Sequence, residues 1–160
     1  AQHFTAQYYK MLNKLIIIAS VYKRKEEQII KVKNRYKMAV NGNSITNDSI
    51  NRWFNQDYLE TNPNVYNFFF NILQKKKDDD FLPAYKLFVE SDNYSLDFSN
   101  FNMQTLILTG ENEVGSTPEM SKLLHQEIKN SELYIVSNAK HMATYEMAKE
   151  VNLRISKFIK

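Results

Sequence analysis

No cysteine occurs in the 160 residues, which excludes disulfides and thiolate metal sites. Glycine is nearly as scarce, with three residues, so most of the chain is expected to be helical. No run approaches ~18 apolar residues, and no membrane span is expected. The opening AQHFTAQYY is amphipathic and lacks the basic start and apolar centre of a signal peptide. The formal charge is only +3, and the lysines are scattered over polar helix faces rather than gathered in a stripe. Nucleic acid is therefore not an expected partner. No set of His, Asp and Glu has metal-ligand spacing, so no metal is expected. What remains is a globular chain with a cytoplasmic location expected, long enough to bury a real core.

The informative stretch is 104–120, QTLILTGENEVGSTPEM, taken with His141. A short apolar run, 105–109, stops at Gly110 and hands over to Glu111 and Glu113. A buried strand that ends on glycine and meets acidic residues has the pattern of the C-terminal edge of a parallel sheet, where α/β proteins place their chemistry. The run 132–137, ELYIVS, repeats the device, and His141 follows it. Two neighbouring strand ends are thus expected to present a carboxylate and a histidine side by side.

Along the rest of the chain, residues 1–10 have helical spacing and lead into an apolar run at 15–19, expected as a strand covered on both faces. From 21 to 89 the pattern is helical throughout. Tyr22, Ile29, Val32, Tyr36 and Val40 recur at helical spacing, and a second helix starting near 46–48 carries Ile50, Trp53 and Phe54. A third has Asn62 as N-cap, Pro63 at its first position, and Val65, Phe68, Phe69, Ile72 and Leu73 as its apolar stripe. Lys75–Lys77 and Asp78–Asp80 are expected as a solvated turn before a helix at 81–90. A loop at 91–103 offers Tyr94, Leu96, Phe98 and Phe101 as anchors. Strand 105–109, helix 118–129, strand 132–137 and helix 144–159 then alternate, with Met147, Val151, Ile155, Phe158 and Ile159 as the core stripe of the last helix. The fold class expected is α/β, a parallel sheet with flanking helices and an all-helical insertion. The domain organisation expected is a core helix and strand at 1–20, a helical cap at 21–95, and core strands and helices at 96–160.

TGENEVGSTPEM (109–120) and AKHMATYEMAKEV (139–151) closely resemble the C-terminal half of capped α/β-hydrolases. The opening Ala1-Gln2-His3-Phe4, with Tyr9 and the strand at 15–19, is similar to the helix and strand that follow the family's nucleophile elbow. Arg52-Trp53-Phe54, Asn62-Pro63, Ala84-Tyr85 and Ser91-Asp92 look like the lid of the 3-oxoadipate enol-lactonase branch. The resemblance implies that Glu113, in the G-x-x-[D/E] turn Gly110–Glu113, is the catalytic acid and His141 the catalytic histidine. It implies a nucleophile–His–acid triad acting on a small carboxylic ester or lactone, without a cofactor. Relatives that cleave C–C, thioester, epoxide or carbon–halogen bonds stay open as alternatives, as does a catalytically silent scaffold.

Three departures stand beside the resemblance. The elbow G-x-S-x-G is absent, Gln104 replaces the usual proline before the strand, and Asn138-Ala139-Lys140 replaces the glycine-rich approach to the histidine. The nucleophile and oxyanion hole are thus expected in an upstream half of the same fold, and the 160 residues alone are expected to be inactive. Glu111 is the rival acid, with a solvated turn or acceptance of nearby backbone amides as its other role. Trp53, Phe54, Phe69 and Met142 are candidate substrate contacts, although the aromatics have the spacing that packing also requires. His3 and His125 are expected as packing or surface residues, and Ser116 and Thr117 as the N-cap of the helix after Pro118.

Overall fold

The computed structural model describes residues 1–160. It divides into two compact units, Ala1–Lys23 with Ser95–Lys160, and Arg24–Tyr94.

The first unit is built on three parallel strands, β1 (Lys14–Ile18), β2 (Gln104–Gly110) and β3 (Ser131–Val136), in that order across the sheet. Ile17, Ile107 and Leu133 share one register row, and Ile18, Leu108 and Tyr134 the next. Successive residues of a strand face opposite sides, so the central strand must be apolar on both. Leu106, Ile107 and Leu108 are accordingly fully buried. One face packs Leu15, Ile17 and Ile107 against Phe101, Met103, and Leu124 and Ile128 of α7 (Pro118–Glu127) and its exit. The other packs Leu108 and Val136 against α8 (Ala143–Glu146) and α9 (Ala148–Ile159) through Ala143, Met147, Val151 and Ile155. Helix α1 (Gln2–Tyr8) leads through a 3-10 turn, Tyr9–Met11, into β1. There the Gln2 side chain donates to Ser20 Oγ at 2.8 Å.

The second unit holds α2 (Glu26–Val40), α3 (Thr46–Trp53), α4 (Gln56–Thr61), α5 (Pro63–Gln74) and α6 (Asp78–Val89). Ile45, Ile50, Phe54, Leu59 and Phe69 are its buried apolar residues around α3, α4 and α5. Phe54 lies at the centre, stacked on Tyr58 at 5.7 Å and tilted against Phe69 at 5.2 Å. Arg35 of α2 donates to Ile45 O at 3.1 Å and Ser49 Oγ at 2.7 Å, which ties α2 to the start of α3.

Several local expectations shift. Tyr22 lies before α2 and packs edge-on against Phe98 at 5.4 Å, so it serves the sheet unit and not the helix stripe. A further helix, α4, lies between α3 and α5, in a segment to which the spacing assigns no element. Asn62 turns its amide back to Tyr58 O at 2.9 Å and caps nothing by its side chain. Of the α5 stripe only Phe69 is buried, while Phe68 and Ile72 are exposed. Helix α6 begins at Asp78, because three carboxylates in a first turn complement the positive end of the helix. The last helix breaks at Met147, where φ and ψ are −122° and 42°.

Arg24 and Asp92 stand near the two ends of the helical unit and meet there. Arg24 Nη1 donates to Asp92 Oδ2 at 2.7 Å and to Ser91 Oγ at 3.1 Å, and Nη2 to Phe88 O at 3.2 Å. The Arg24 side chain is 2% exposed, and its guanidinium lies over the Phe88 ring at 4.4 Å. Removing one partner strands a buried charge, so Asp92→Ala is expected to destabilise the unit by about 3 kcal/mol, the lower end for a buried pair because Asp92 is partly solvated. Hydrogen exchange on the native protein carrying this chain checks it, with lost protection expected in α2 and α6. Unchanged protection in both helices would refute the clasp.

Candidate active site

Glu113 and His141 are 28 residues apart, and the sheet brings them together. Strands β2 and β3 pair in parallel register to their last residues, Gly110 opposite Val136, so both chains leave the sheet at the same edge. The two exits are then laced by main chain. Glu111 N–H donates to Val136 O at 2.9 Å, and Asn112 N–H to Ala139 O at 2.8 Å. Gly110 makes that approach possible. A Cβ on it would lie 2.3 Å from both Ala139 O and Lys140 O, so no side chain fits. Asn138 has φ of 56°, a left-handed conformation that asparagine tolerates best after glycine. This explains how Asn138-Ala139-Lys140 makes the turn without glycine.

At the centre, His141 Nδ1 and Glu113 Oε2 are 2.6 Å apart. The Glu113 side chain is 1% exposed and that of His141 35% exposed. The other carboxylate oxygen, Oε1, accepts the N–H groups of Gly115 and of Ser116, the latter at 3.0 Å. Burial is the largest influence on this carboxyl and pushes its pKa up. The hydrogen bond and charge of His141, then the two amides, outweigh it together and hold Glu113 below the ordinary carboxylate value. A carboxylate at Nδ1 selects the Nδ1–H tautomer, whose basic lone pair is on Nε2. The arrangement can hold an imidazole in one orientation and stabilise it when it takes a proton.

Glu111 is at the surface, and its Oε2 accepts the Asn138 N–H at 3.0 Å. It braces the histidine turn, the amide-accepting role open to it from sequence, while the buried contact to the imidazole belongs to Glu113. Thr117 accepts the Met120 N–H at 3.4 Å as the N-cap of α7, with Pro118 at the first position. Ser116 is buried, and its carbonyl accepts from Thr109 Oγ1 at 3.1 Å. His3 and His125 are exposed on their helices, and His125 Nδ1 lies 2.7 Å from Ser131 Oγ. Trp53 is half-buried and edge-on to Phe69 at 6.1 Å. Phe54 and Phe69 are core residues of the helical unit, and Met142 is half-buried beside His141. A separate cleft of about 640 Å³, lined by Tyr22, Lys23, Phe98 and Glu127 among others, holds neither Glu113 nor His141.

Two features of the site escape the sequence reading. The amides of Gly115 and Ser116 have a signal, since a carboxylate commonly accepts N–H groups two and three residues on. The bond from Lys140 N–H to Glu146 has none.

No protein-family model matches the chain. Among curated proteins it is similar to (E)-2-((N-methylformamido)methylene)succinate hydrolase of Acinetobacter baylyi, 23% identical over 145 residues. That match covers 89% of this chain and 54% of the relative. Among solved structures, an enol-lactonase from Burkholderia xenovorans LB400 superposes with a TM-score of 0.75 at 15% identity, over 98% of this chain and 59% of that one. A hydrolase from Pseudomonas aeruginosa gives 0.83 at 13% identity, over 99% and 59%. The fold is thus that of the α/β-hydrolases. The chain resembles their C-terminal half and spans a little over half the length of these relatives, which are hydrolases.

The lacing predicts how the site fails. Gly110→Ala is expected to cost about 1–3 kcal/mol of stability, because main chain and not a yielding side chain blocks the Cβ. Urea unfolding of the native protein checks this, and a variant as stable as the parent would contradict it. A second expectation concerns acid. The folded pKa of Glu113 lies below the unfolded one, so the unfolded chain takes the proton first as pH falls. Its contribution is complete above the unfolded value and disappears as pH drops through the folded one. Glu113→Gln should flatten the acid limb of stability against pH. An unaltered limb would show that Glu113 carries no such linkage.

Proposed function

We propose that this chain is the C-terminal part of a hydrolase of small carboxylic esters or lactones, with His141 as general base and Glu113 as its orienting acid. The observation that carries the reading is the 2.6 Å contact between His141 Nδ1 and a carboxylate that is buried and held ionised. Ester hydrolysis of this kind needs a nucleophile whose proton is removed as it attacks the carbonyl carbon. His141 Nε2 accepts that proton, and Glu113 stabilises the imidazolium without itself becoming protonated. The proton then passes to the leaving alkoxide, and a second round with water releases the acid and restores the nucleophile. The nucleophile and the oxyanion donors are proposed to come from an upstream half of the fold, in keeping with the share of the relatives' length that this chain spans.

In this reading the helical unit acts as a cap, with Trp53 as its apolar substrate contact and Met142 another beside the base, while the burial of Phe54 and Phe69 takes them out of direct substrate contact. Half-buried Trp53 is the most accessible of the three aromatics, and Phe54 and Phe69 support it from behind. The names of the curated relative and of the enol-lactonase favour a compact substrate with an enol ester, lactone or amide-like bond.

Fluorophosphonate labelling of the native protein carrying this chain, beside a His141→Ala variant, tests the reading. A label on a serine outside these 160 residues, slowed on the order of 10⁴-fold or more in the variant, is expected for a serine hydrolase. Folded protein that takes no label would overturn the serine-ester reading, leaving an aspartate nucleophile or a silent scaffold.

A further inference from the structure

A carboxylate outside the pair is tied to the histidine's own main chain. Lys140, the residue before His141, donates its N–H to Glu146 Oε2 at 2.6 Å in a partly buried bond. Glu146 is the last residue of α8, so this bond closes 140–146 into a ring. Inside the ring, Tyr145 and Glu146 donate their N–H groups to Met142 O at 2.7 and 3.0 Å. On the other flank, Ala139 O accepts the Asn112 N–H at 2.8 Å. The main chain is thus pinned on the N-terminal side of His141 by two bonds that run to different partners.

The imidazole needs that restraint. Its side chain is about one third exposed, so packing alone does not fix the ring. Its contact with Glu113 depends on where residues 140 and 141 place the Cα–Cβ bond. The bond to Glu146 is the shorter of the two pins, at 2.6 Å against 2.8 Å, and holds the residue next to the histidine.

We propose that Glu146 is a positioning residue for His141. By accepting the Lys140 N–H it holds the main chain from which the imidazole reaches Glu113. The proposal rests on His141 being the base, and Glu146 acts through the main chain of Lys140. What the position requires is an acceptor oxygen at glutamate's reach, and the charge is secondary. Activity should therefore follow reach: Glu146→Gln keeps the oxygen in place, Glu146→Asp withdraws it by one methylene, and Glu146→Ala removes it.

The test uses the native protein carrying this chain, with these three variants and His141→Ala beside them. Two readouts are taken. One is kcat and KM for p-nitrophenyl acetate. The other is the far-downfield Nδ1 proton resonance of His141, assigned by its loss in His141→Ala, which reports the bond to Glu113 whatever the reaction. Glu146→Gln is expected to keep the resonance and stay within about threefold of the parent kcat. Glu146→Asp and Glu146→Ala are expected to lose kcat by roughly ten- to a hundredfold, with KM little changed, and to lose or shift the resonance. If the alanine variant does not fold, the aspartate variant decides. A parent-like kcat and resonance in Glu146→Asp overturns the proposal, and so does a glutamine variant as impaired as the aspartate one. Full activity in His141→Ala instead sinks the reading of His141 as base, and the resonance alone then judges the positioning.

Discussion

Main chain stands where a side chain on Gly110 would be, with two carbonyl oxygens 2.3 Å from the position of its Cβ. That one absence sets how close the exits of β2 and β3 can come. The parallel ladder brings both strands to the same edge, but a ladder alone leaves their loops free to diverge. Lacing by the Glu111 and Asn112 amides begins only because the turn after Val136 can fold directly against Gly110. Glu113 and His141 inherit their separation from this contact. The glycine acts on the pair through steric room.

Burying a carboxylate is unfavourable, and Glu113 shows how the cost is offset. Its carboxylate has a hydrogen-bond partner at each oxygen: His141 at one, and the Gly115 and Ser116 amides at the other. Without these, burial would favour the neutral acid, which cannot stabilise an imidazolium. The same turn carries the chain into α7, where Thr117 caps the helix and Pro118 occupies a position that needs no N–H. GSTP is thus read twice, as the cradle of the carboxylate and as the start of the helix that covers one face of the sheet. The glutamate's extra methylene over aspartate is accommodated within that cradle.

How much of this is legible in the sequence follows from how local each signal is. The alternation of strand and helix after residue 104 is legible because parallel strands flanked by helices carry short apolar runs, here LIL and LYIV. The meeting of Glu113 and His141 is legible because each follows a strand end at the same edge of the sheet. The helical unit is less so. Its stripe on α5 reads as a buried face, yet Phe68 and Ile72 are exposed within the chain as it stands. Periodicity reports that a helix has an apolar side, and tertiary context decides how much of it is covered. Tyr22 fits a helical period by coincidence of spacing, while its ring and hydroxyl are engaged by Phe98 and Glu127. Glu146 is the hardest case. A carboxylate that accepts an amide six residues back, across a histidine, follows no propensity or period.

The insertion of a whole helical unit between β1 and β2 has its own logic. Parallel neighbours cannot be joined by a tight turn, so this connection has to leave the sheet and return in any case. Lengthening it raises the closure entropy only slowly, roughly with the logarithm of its length. The insertion must then avoid transmitting its own fluctuations to the strands on either side. Two features act against that. The unit has its own buried aromatic centre around Phe54, and its ends are joined by Arg24, Ser91 and Asp92. A clasp at the ends makes the unit a closed excursion, so the strands experience a short bridge in place of a long loose loop. The register of β1 on β2, and through it that of β2 on β3, is thereby insulated from changes in the helices. The helices can thus vary in sequence while the bonds that set Gly110, Glu113 and His141 stay within the sheet unit.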